Sequence, residues 1–446
     1  MKRKQKQAET GAAVDGVRKM QKQVLSAVFL TIFLDLVGFG LFIPIIPLLA
    51  RSFGASDAAA VGLASIYSLG TLLAVALLGR LSDRIGRRPL LLATVAVSTL
   101  TQACTGFAGS YGFLLFVRFV AGLAAGNISV AQACISDVTR PQERARSMAL
   151  IGIAFGLGFS IGPALGALVS LLLPNHTLWG ISLTAAALNL FNFLVVARRL
   201  PETHHRLAGE TLRPLITELA IPVSTRQTGL GWMSDFRHLL EDKSFRIVLL
   251  LGFLQVFGFI GIEAILSLML NDAFHITEPR LQYLAFMFVG LMLVLMNGGV
   301  ARPLLARIGE VKTLNLGQLL LALTMLGLPL VAPDHFWLYV LLTTMAAGSA
   351  FANPSLSSLT SRLSPSSMQG FAFGTSQTLG ALARIIGPLS FGYLYQLLHG
   401  PRSLFVSAAL MLGGWMVAFF GLKSTAQRLH AEKMAAKLNT EVAPGL

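Results

Sequence analysis

The chain alternates between long apolar runs and short polar segments along nearly its whole length. A helix needs about 20 apolar residues to cross the ~30 Å hydrocarbon core of a bilayer. Windows of this kind predict an all-α membrane protein with twelve transmembrane helices. The predicted spans are 24–50, 60–79, 89–109, 111–136, 146–173, 177–197, 247–273, 281–301, 313–332, 335–360, 369–396 and 401–422.

The polar segments divide the chain into five predicted parts. These are a basic cytoplasmic tail (1–23), an N-terminal six-helix bundle (24–197), a cytoplasmic middle loop (198–246), a C-terminal six-helix bundle (247–422) and a second cytoplasmic tail (423–446). Residues 234–240, at the end of the middle loop, are predicted to form a short amphipathic helix on the membrane surface.

Short motifs repeat between the two bundles. Residues 84–86, which read RIG, recur at 307–309, and the Gly-Pro pair at 162–163 recurs at 387–388. Two matches at nearly the same offset, in equivalent helices, indicate a parallel repeat. A transporter with two rocking halves has this organisation, with its site where the halves meet.

Composition supports a membrane location. Hydrophobic residues make up 54% of the chain and charged residues 12%, whereas soluble proteins carry about 25% charge. The net charge of +15 would suggest a nucleic-acid partner in a soluble chain. Of the 35 Lys and Arg, however, 30 lie on one predicted side; the others are Arg51, Arg280, Arg402, Arg118 and Arg384. This bias predicts cytoplasmic termini in an inner membrane, with membrane lipids and not nucleic acid beside the basic face.

Enzyme and cofactor chemistry is not predicted. Cys104 and Cys134 lie inside apolar runs, so neither a disulfide framework nor a metal site is expected. The chain contains neither a G-x-x-x-x-G-K-[ST] loop nor an H-E-x-x-H motif. Residues 158–162 fit G-x-S-x-G, but they lie within a predicted helix and not at a strand-to-helix turn.

Four charged residues lie well inside predicted spans, away from the span ends, and a charge at mid-bilayer costs about 2.5–3.5 kcal/mol. Asp35 and Arg118 lie in the first half. They either neutralise each other for structure or form a proton site, in which the arginine adjusts how readily Asp35 exchanges its proton. Glu263 and Arg384 lie in the second half and can neutralise each other in the same way. In a functional role, Glu263 would be a second protonation site or would bind a cationic substrate, and Arg384 would favour anionic or amphiphilic ones.

Uncharged polar residues within the spans are candidates for a substrate cavity. Asn127 and Gln132 are predicted to line it together with Asp35, Glu263 and Arg384. Asn189, Asn192, Gln255 and Asn353 either line the cavity or join helices through hydrogen bonds.

The strongest motif is the sequence GRLSDRIGRRP at residues 79–89. Gly79 is predicted to permit a close helix contact and Gly86 a tight turn. Asp83 lies among four arginines, which favours a specific partner over a basic turn that merely orients the protein. The motif resembles the signature loop of the major facilitator superfamily, G-x-L-x-D-R-x-G-R-[KR], and carries its Gly79, Asp83, Arg84, Gly86, Arg87 and Arg88.

This resemblance implies a charge-relay lock. In the superfamily, the counterparts of Asp83, Arg87 and Asp137 hold the outward-facing state and separate as the halves rock.

A second motif lies in the fifth span. Gly158, Gly162 and Gly166 share one helix face and allow a close helix contact, and Pro163 favours a kink. Packing alone would account for this spacing. The pattern nevertheless resembles the antiporter motif of drug:proton exporters, from which it departs at Ala167.

Segments from Asp35 to Thr203 resemble the tetracycline-efflux branch, and the region around Arg384 resembles tetracycline-transporter-like animal proteins. The acidic substrate residue of tetracycline pumps has no counterpart between Val311 and Ala332. The resemblance implies a monomeric, proton-coupled antiporter that exports an amphiphilic small molecule or drug by alternating access. An importer or lipid-like solute carrier, acting as a symporter or facilitator on the same fold, is the alternative.

Overall fold

The computed structural model describes residues 2–139, 141–204, 240–365, 368–427 and 431. Helices dominate this part of the chain, and no strand occurs in it. The helices of the first half are α1 (Lys2–Phe42), α2 (Ile46–Ser52), α3 (Asp57–Ile85), α4 (Arg87–Gly106), α5 (Tyr111–Ala125), α6 (Asn127–Val138), α7 (Pro141–Leu172) and α8 (Thr177–Arg199). Those of the second half are α9 (Lys243–Asp272), α10 (Pro279–Leu295), α11 (Arg302–Ile308), α12 (Glu310–Val331), α13 (His335–Leu363), α14 (Gln369–Leu397) and α15 (Leu404–Gly421).

Eleven helical segments of the described chain are long and apolar enough to cross a membrane. Two of them join consecutive helices: α5 with α6, and α10 with α11. Helix α14, which corresponds to the eleventh span predicted from the sequence (369–396), is not among these segments but is also long enough at 29 residues. Its Gln, Ser and Thr residues, together with Arg384, lower its hydropathy. The predicted all-α membrane fold of twelve helices is therefore confirmed.

The first span differs from its prediction because proline breaks it. Helix α1 begins at Lys2, inside the predicted tail, and ends at Phe42 instead of residue 50. Pro44 has no N–H to donate and its ring disfavours a continuing helix. The N–H of Ile45 donates to the carbonyl of Phe42 at 3.3 Å, and α2 then starts with Pro47 in its first turn, where a missing donor has no cost.

The chain divides into two compact units. Unit 1 comprises Met1–Gly54, Ile66–Thr225 and Pro279–Met287; unit 2 comprises Ala55–Ser65, Arg226–Glu278 and Phe288–Leu446. Inside unit 1, α1 packs on α6, α7 and α8, and α4 packs on α5 and α8. Inside unit 2, α9 packs on α13, α14 and α15, and α12 packs on α13 and α15. The same pairing recurs six spans later, as the sequence repeat leads one to expect.

Each half also turns sharply at the same place in its repeat. Gly86 between α3 and α4 has φ +103°, and Gly309 between α11 and α12 has φ +84°. Residues with a Cβ rarely adopt these angles, so the tight turn predicted at Gly86 is present. The predicted close contact at Gly79 is not, because a Cβ added there would meet no described atom within 4 Å.

Three sequence-based predictions lie mostly outside the described residues. The middle loop, 198–246, is described at residues 198–204 and 240–246 alone. The amphipathic helix at 234–240 is described at residue 240 alone, and the second tail is described only to residue 427 and at 431.

Candidate functional site

A small cavity lined by both polar and apolar residues lies inside unit 1. Its volume is about 40 Å³, and four helices contribute side chains of different chemistry to it. The lining residues are Asp35, Gly38, Phe39, Phe42, Tyr67, Ser98, Thr101, Gln102, Arg118, Ala121 and Ala125. About 10–15 Å³ suffices for one water molecule, so this cavity has room for a few waters or for a small polar group of a ligand.

Asp35 reaches this cavity from α1. Its Oδ2 accepts a hydrogen bond from the Nδ2 of Asn127, the first residue of α6. Its Oδ1 is buried and has no hydrogen-bond partner among the described residues. The carboxylate is thus held by a neutral amide on one oxygen, and the other oxygen remains free to bind a proton or a ligand.

Arg118 enters the cavity from α5. The side chain is 7% exposed, and its guanidinium carbon lies 4.9 Å from the centroid of the Tyr67 ring. This distance is typical of a cation–π contact. The Nε of Arg118 has no hydrogen-bond partner in the described chain.

Tyr67, which the sequence did not single out, reaches Arg118 because α3 and α5 approach closely. A Cβ on Gly122 would run into the backbone of Tyr67, and one on Gly70 would lie 2.5 Å from the carbonyl oxygen of Phe119. Glycines such as Gly70 and Gly122 within apolar runs were the signal in the sequence that could have indicated a close contact between α3 and α5.

The described ion pairs do not join Asp35 to Arg118. The sequence left open whether the two charges simply neutralise each other for structure. Both line one cavity, but Asp35 contacts Asn127 and Arg118 contacts Tyr67. A direct structural pair is therefore not what this arrangement provides.

Other polar residues of unit 1 join helices. The Nδ2 of Asn189 donates to the Oε1 of Gln102 at 2.8 Å, and the Oγ1 of Thr31 donates to the Oδ1 of Asn192 at 3.1 Å. Gln132, a predicted cavity residue, is exposed and does not line the 40 Å³ cavity.

The charges of unit 2 are close but not bonded. Arg384 acts electrostatically on Glu263, although the described ion pairs do not include them. Arg384 is exposed and Glu263 is half-buried. Nearby in the bundle, the Nε2 of buried Gln318 donates to the Oε1 of Gln255 at 3.1 Å.

The residues of the predicted lock meet at the start of α4. Nη1 of Arg87 lies 2.7 Å from Oδ1 of Asp83, and its Nε donates to Oδ2 of Asp137 at 3.1 Å. Arg87 also donates to the hydroxyl of Ser82, a residue inside the motif that the pattern leaves variable. Arg84 and Arg88 are exposed. Asp83, Arg87 and Asp137, which the resemblance grouped together, thus form one cluster.

The glycines of the antiporter motif contact other helices closely. A Cβ on Gly158 would lie 2.5 Å from Cβ of Leu36, and one on Gly162 would lie 2.7 Å from the carbonyl oxygen of Val37. A Cβ on Gly166 would run into the ring of Tyr283. Two of the three glycines therefore let α7 approach α1, and the third makes room for α10.

Together, the long apolar helices and the charges within them define a multi-pass membrane protein. The model of the Major Facilitator Superfamily matches residues 28–388 and, in a second match, residues 299–442. The chain belongs to this superfamily.

Similar proteins agree with this assignment. The chain is 31% identical over 436 residues to Major facilitator superfamily domain-containing protein 10 of Bos taurus, covering 88% of this chain and 91% of the relative. It is 30% identical over 369 residues to Tetracycline resistance protein, class C, of Escherichia coli, covering 82% and 88%. The crystal structure of the human organic anion transporter MFSD10 (TETRAN) matches with a TM-score of 0.62 at 27% identity, covering 89% of this chain and 99% of that one. The predicted resemblance to tetracycline-efflux proteins is thereby confirmed.

Proposed function

We propose that this protein is a proton-coupled antiporter that exports an amphiphilic small molecule by alternating access. The observation that carries the proposal is the state of Asp35, whose buried Oδ1 has no hydrogen-bond partner among the described residues and faces a cavity shared with Arg118. A carboxylate that no ion pair neutralises can take up a proton on one side of a membrane and release it on the other. Similarity to tetracycline resistance proteins supports export.

The energetics fit a single proton site. One charge moving down a potential of 100 mV releases about 2.3 kcal/mol, which corresponds to roughly 50-fold accumulation of substrate. Glu263 is our candidate for a second protonation site, and Asn127, Gln132 and Arg384 are candidates for substrate contacts.

The proposal includes an orientation. We place both termini on the cytoplasmic side of an inner membrane, because 30 of the 35 Lys and Arg fall on that side of the predicted topology. The cluster of Asp83, Arg87 and Asp137 is then a cytoplasmic gate, and a monomer suffices for transport.

The test is transport in oriented proteoliposomes. A substrate is first found by screening amphiphilic compounds for thermal stabilisation of the purified protein, since a ligand of the folded state raises apparent stability. Asp35→Asn is expected to abolish proton-driven accumulation and to leave folding, insertion and passive exchange intact. Asp35→Glu keeps a carboxylate and should retain part of the coupling. Normal accumulation by Asp35→Asn would refute Asp35 as the proton site.

One observation favours a second candidate, a symporter or facilitator that imports an organic anion or lipid-like solute. The Nε of the buried Arg118 guanidinium has no hydrogen-bond partner in the described part of the chain, and a carboxylate or phosphate group would supply one. The similar human protein is described as an organic anion transporter. If an anion binds Arg118 when Asp35 is protonated, proton and substrate travel in the same direction. The direction of transport in oriented vesicles separates this candidate from the antiporter.

A further inference from the structure

The segment that follows α8 folds back onto the start of α4. Glu202 lies three residues beyond the end of α8 and 115 residues from Arg87. Its Oε1 accepts a hydrogen bond from the backbone N–H of Arg87 at 2.9 Å, and its Oε2 accepts one from the N–H of Arg88 at 3.1 Å. One carboxylate therefore binds the first two N–H groups of a helix.

Helix α4 needs such a partner. The first N–H groups of any helix lack intrahelical acceptors, and Gly86, the residue before α4, has no side chain to supply one. The helix also opens with two arginines at the end where its dipole favours negative charge. The carboxylate of Glu202, from a distant part of the sequence, supplies both an acceptor for these N–H groups and a negative charge at the start of the helix.

The neighbouring residue holds the other member of the ion pair. The Oγ1 of Thr203 donates to the Oδ2 of Asp137 at 3.2 Å, the same oxygen that accepts from the Nε of Arg87. Thr203 is 4% exposed. The Nη2 of Arg88 also joins α4 to α8, since it donates to the carbonyl of Ala197 at 2.6 Å. Glu202 thus fixes the backbone of Arg87, and Thr203 fixes the carboxylate that Arg87 binds.

In the second half, the negative charge at the start of the equivalent helix comes from the helix itself. Helix α12 begins with Glu310, directly after Gly309, at the position where α4 begins with Arg87 after Gly86. Nε of Arg362, in the last turn of α13, lies 3.0 Å from Oε1 of Glu310. Compared with the first half, the charges are reversed: the glutamate lies at a helix start and the arginine at a helix end, where the helix dipole favours each of them. In the first half, α4 begins with arginine and its start binds the carboxylate of Glu202 from another segment. In the second half, α12 begins with its own carboxylate, Glu310.

We infer that Glu202 is a positioning residue of the transport cycle, which presents Arg87 to Asp137 and keeps the gate closed until the segment after α8 releases α4. Thr203 assists by orienting Asp137. The inference rests on the proposed transport function, but the contacts and the first test below involve no substrate.

A native thiol can report on this gate. Cys134 is 0% exposed and lies one helical turn before Asp137 on α6. Thr203 contacts the same helix at Asp137, to which its Oγ1 donates. Cys104, on α4, is partly exposed and serves as an internal reference. Alkylation of Cys134 by N-ethylmaleimide therefore requires local opening, whereas alkylation of Cys104 does not require the gate to open.

Glu202→Gln is expected to speed alkylation of Cys134 by roughly tenfold, the factor that corresponds to a loss of about 1.4 kcal/mol. The rate at Cys104 should stay unchanged. Glu143→Gln, which neutralises an exposed glutamate of the same unit, is the matched control and should alter neither rate. An unchanged rate at Cys134, or an equal rise at both cysteines, would overturn the inference.

A double-mutant cycle then separates positioning from general stabilisation. If Glu202 acts through the Arg87–Asp137 pair, Glu202→Gln should slow transport in the wild-type background and add little in an Asp137→Asn background. Additive losses in the two variants would count against a positioning role. The labelling result stands even where a transport assay detects no substrate, so failure of the inference and failure of the proposed function are distinguishable.

Discussion

The hydroxyl group of Tyr283 satisfies the backbone at the point where α1 ends. Ile45 donates its N–H to Phe42, so the carbonyl of Leu41 receives no bond from Ile45. The Oη of Tyr283 donates to that carbonyl at 2.6 Å, and the side chain is 1% exposed. The ring occupies the space left by the missing side chain of Gly166. A break made by Pro44 is thus tolerated because a distant phenol supplies the donor.

Tyr283→Phe should destabilise the protein by about 1–3 kcal/mol, the cost of leaving a buried carbonyl unpaired. Thermal unfolding in detergent measures the effect. Tyr393→Phe is the control, because Tyr393 is 61% exposed and the substitution removes a hydroxyl from an exposed side chain instead of a buried one. Equal stability of Tyr283→Phe and wild type would mean that the hydrogen bond does not stabilise the break.

At the scale of single residues, the sequence indicated residues that line the cavity but not the partners that they contact. Asp35 and Arg118 were identified from charge within apolar runs, and both line the cavity. Their contacts with Asn127 and Tyr67 depend on how four helices rotate and approach. Glu202 was part of a recognised resemblance, but its bond to Arg87 spans 115 residues, and no local pattern encodes such a distance.

Among the elements, the eighth span contains a wide turn. Residues Met296–Ala301 form a π-helical segment between α10 and α11. Pro303 follows it and cannot donate to the helix ladder. A Cβ on Gly298 or Gly299 would meet no described atom within 4 Å, so packing does not require glycine there. Glycine at both positions therefore gives the backbone a wider range of φ and ψ angles than other residues would. π-helical turns are frequent at functional sites.

Gly298→Ala should stabilise the span by up to about 1 kcal/mol, because alanine loses less backbone entropy in a helix than glycine does. If the segment flexes during the cycle, the same change should slow transport. Gly413→Ala, in the regular helix α15, is the matched control: its added Cβ also meets open space. It should stabilise without slowing transport. Identical transport rates for both variants would contradict a hinge at the π-turn.

The elements also show where the sequence was a sufficient guide. Apolar runs predicted the spans because membrane helices must be long and apolar, and their boundaries followed within several residues in most cases. The break at Pro44 was missed because the apolar run continues through it to residue 50. The π-turn was missed because Gly298 and Gly299 lie within the eighth apolar run. Glycine is common in membrane helices, so its presence there did not indicate an irregular turn.

For the whole molecule, a sequence repeat and a repeat of helix pairings agree. The pairing of α1 with α7 recurs as α9 with α14, and that of α4 with α8 recurs as α12 with α15. The two halves nonetheless differ in chemistry, with Asp35 and Arg118 in one and Glu263 and Arg384 in the other. The cavity that Asp35 and Arg118 both line supports our assignment of the leading proton site to the first half.

The central claim is that transport moves protons through Asp35, and proton flux tests it most directly. Proteoliposomes containing a pH-sensitive dye receive a transported compound from outside, with no other gradient imposed. The account predicts that compound entering the wild-type vesicles drives protons out, so the lumen becomes alkaline, and that Asp35→Asn vesicles show no change in pH. An unchanged lumen with the wild-type protein, or the same alkaline shift with Asp35→Asn, would contradict it.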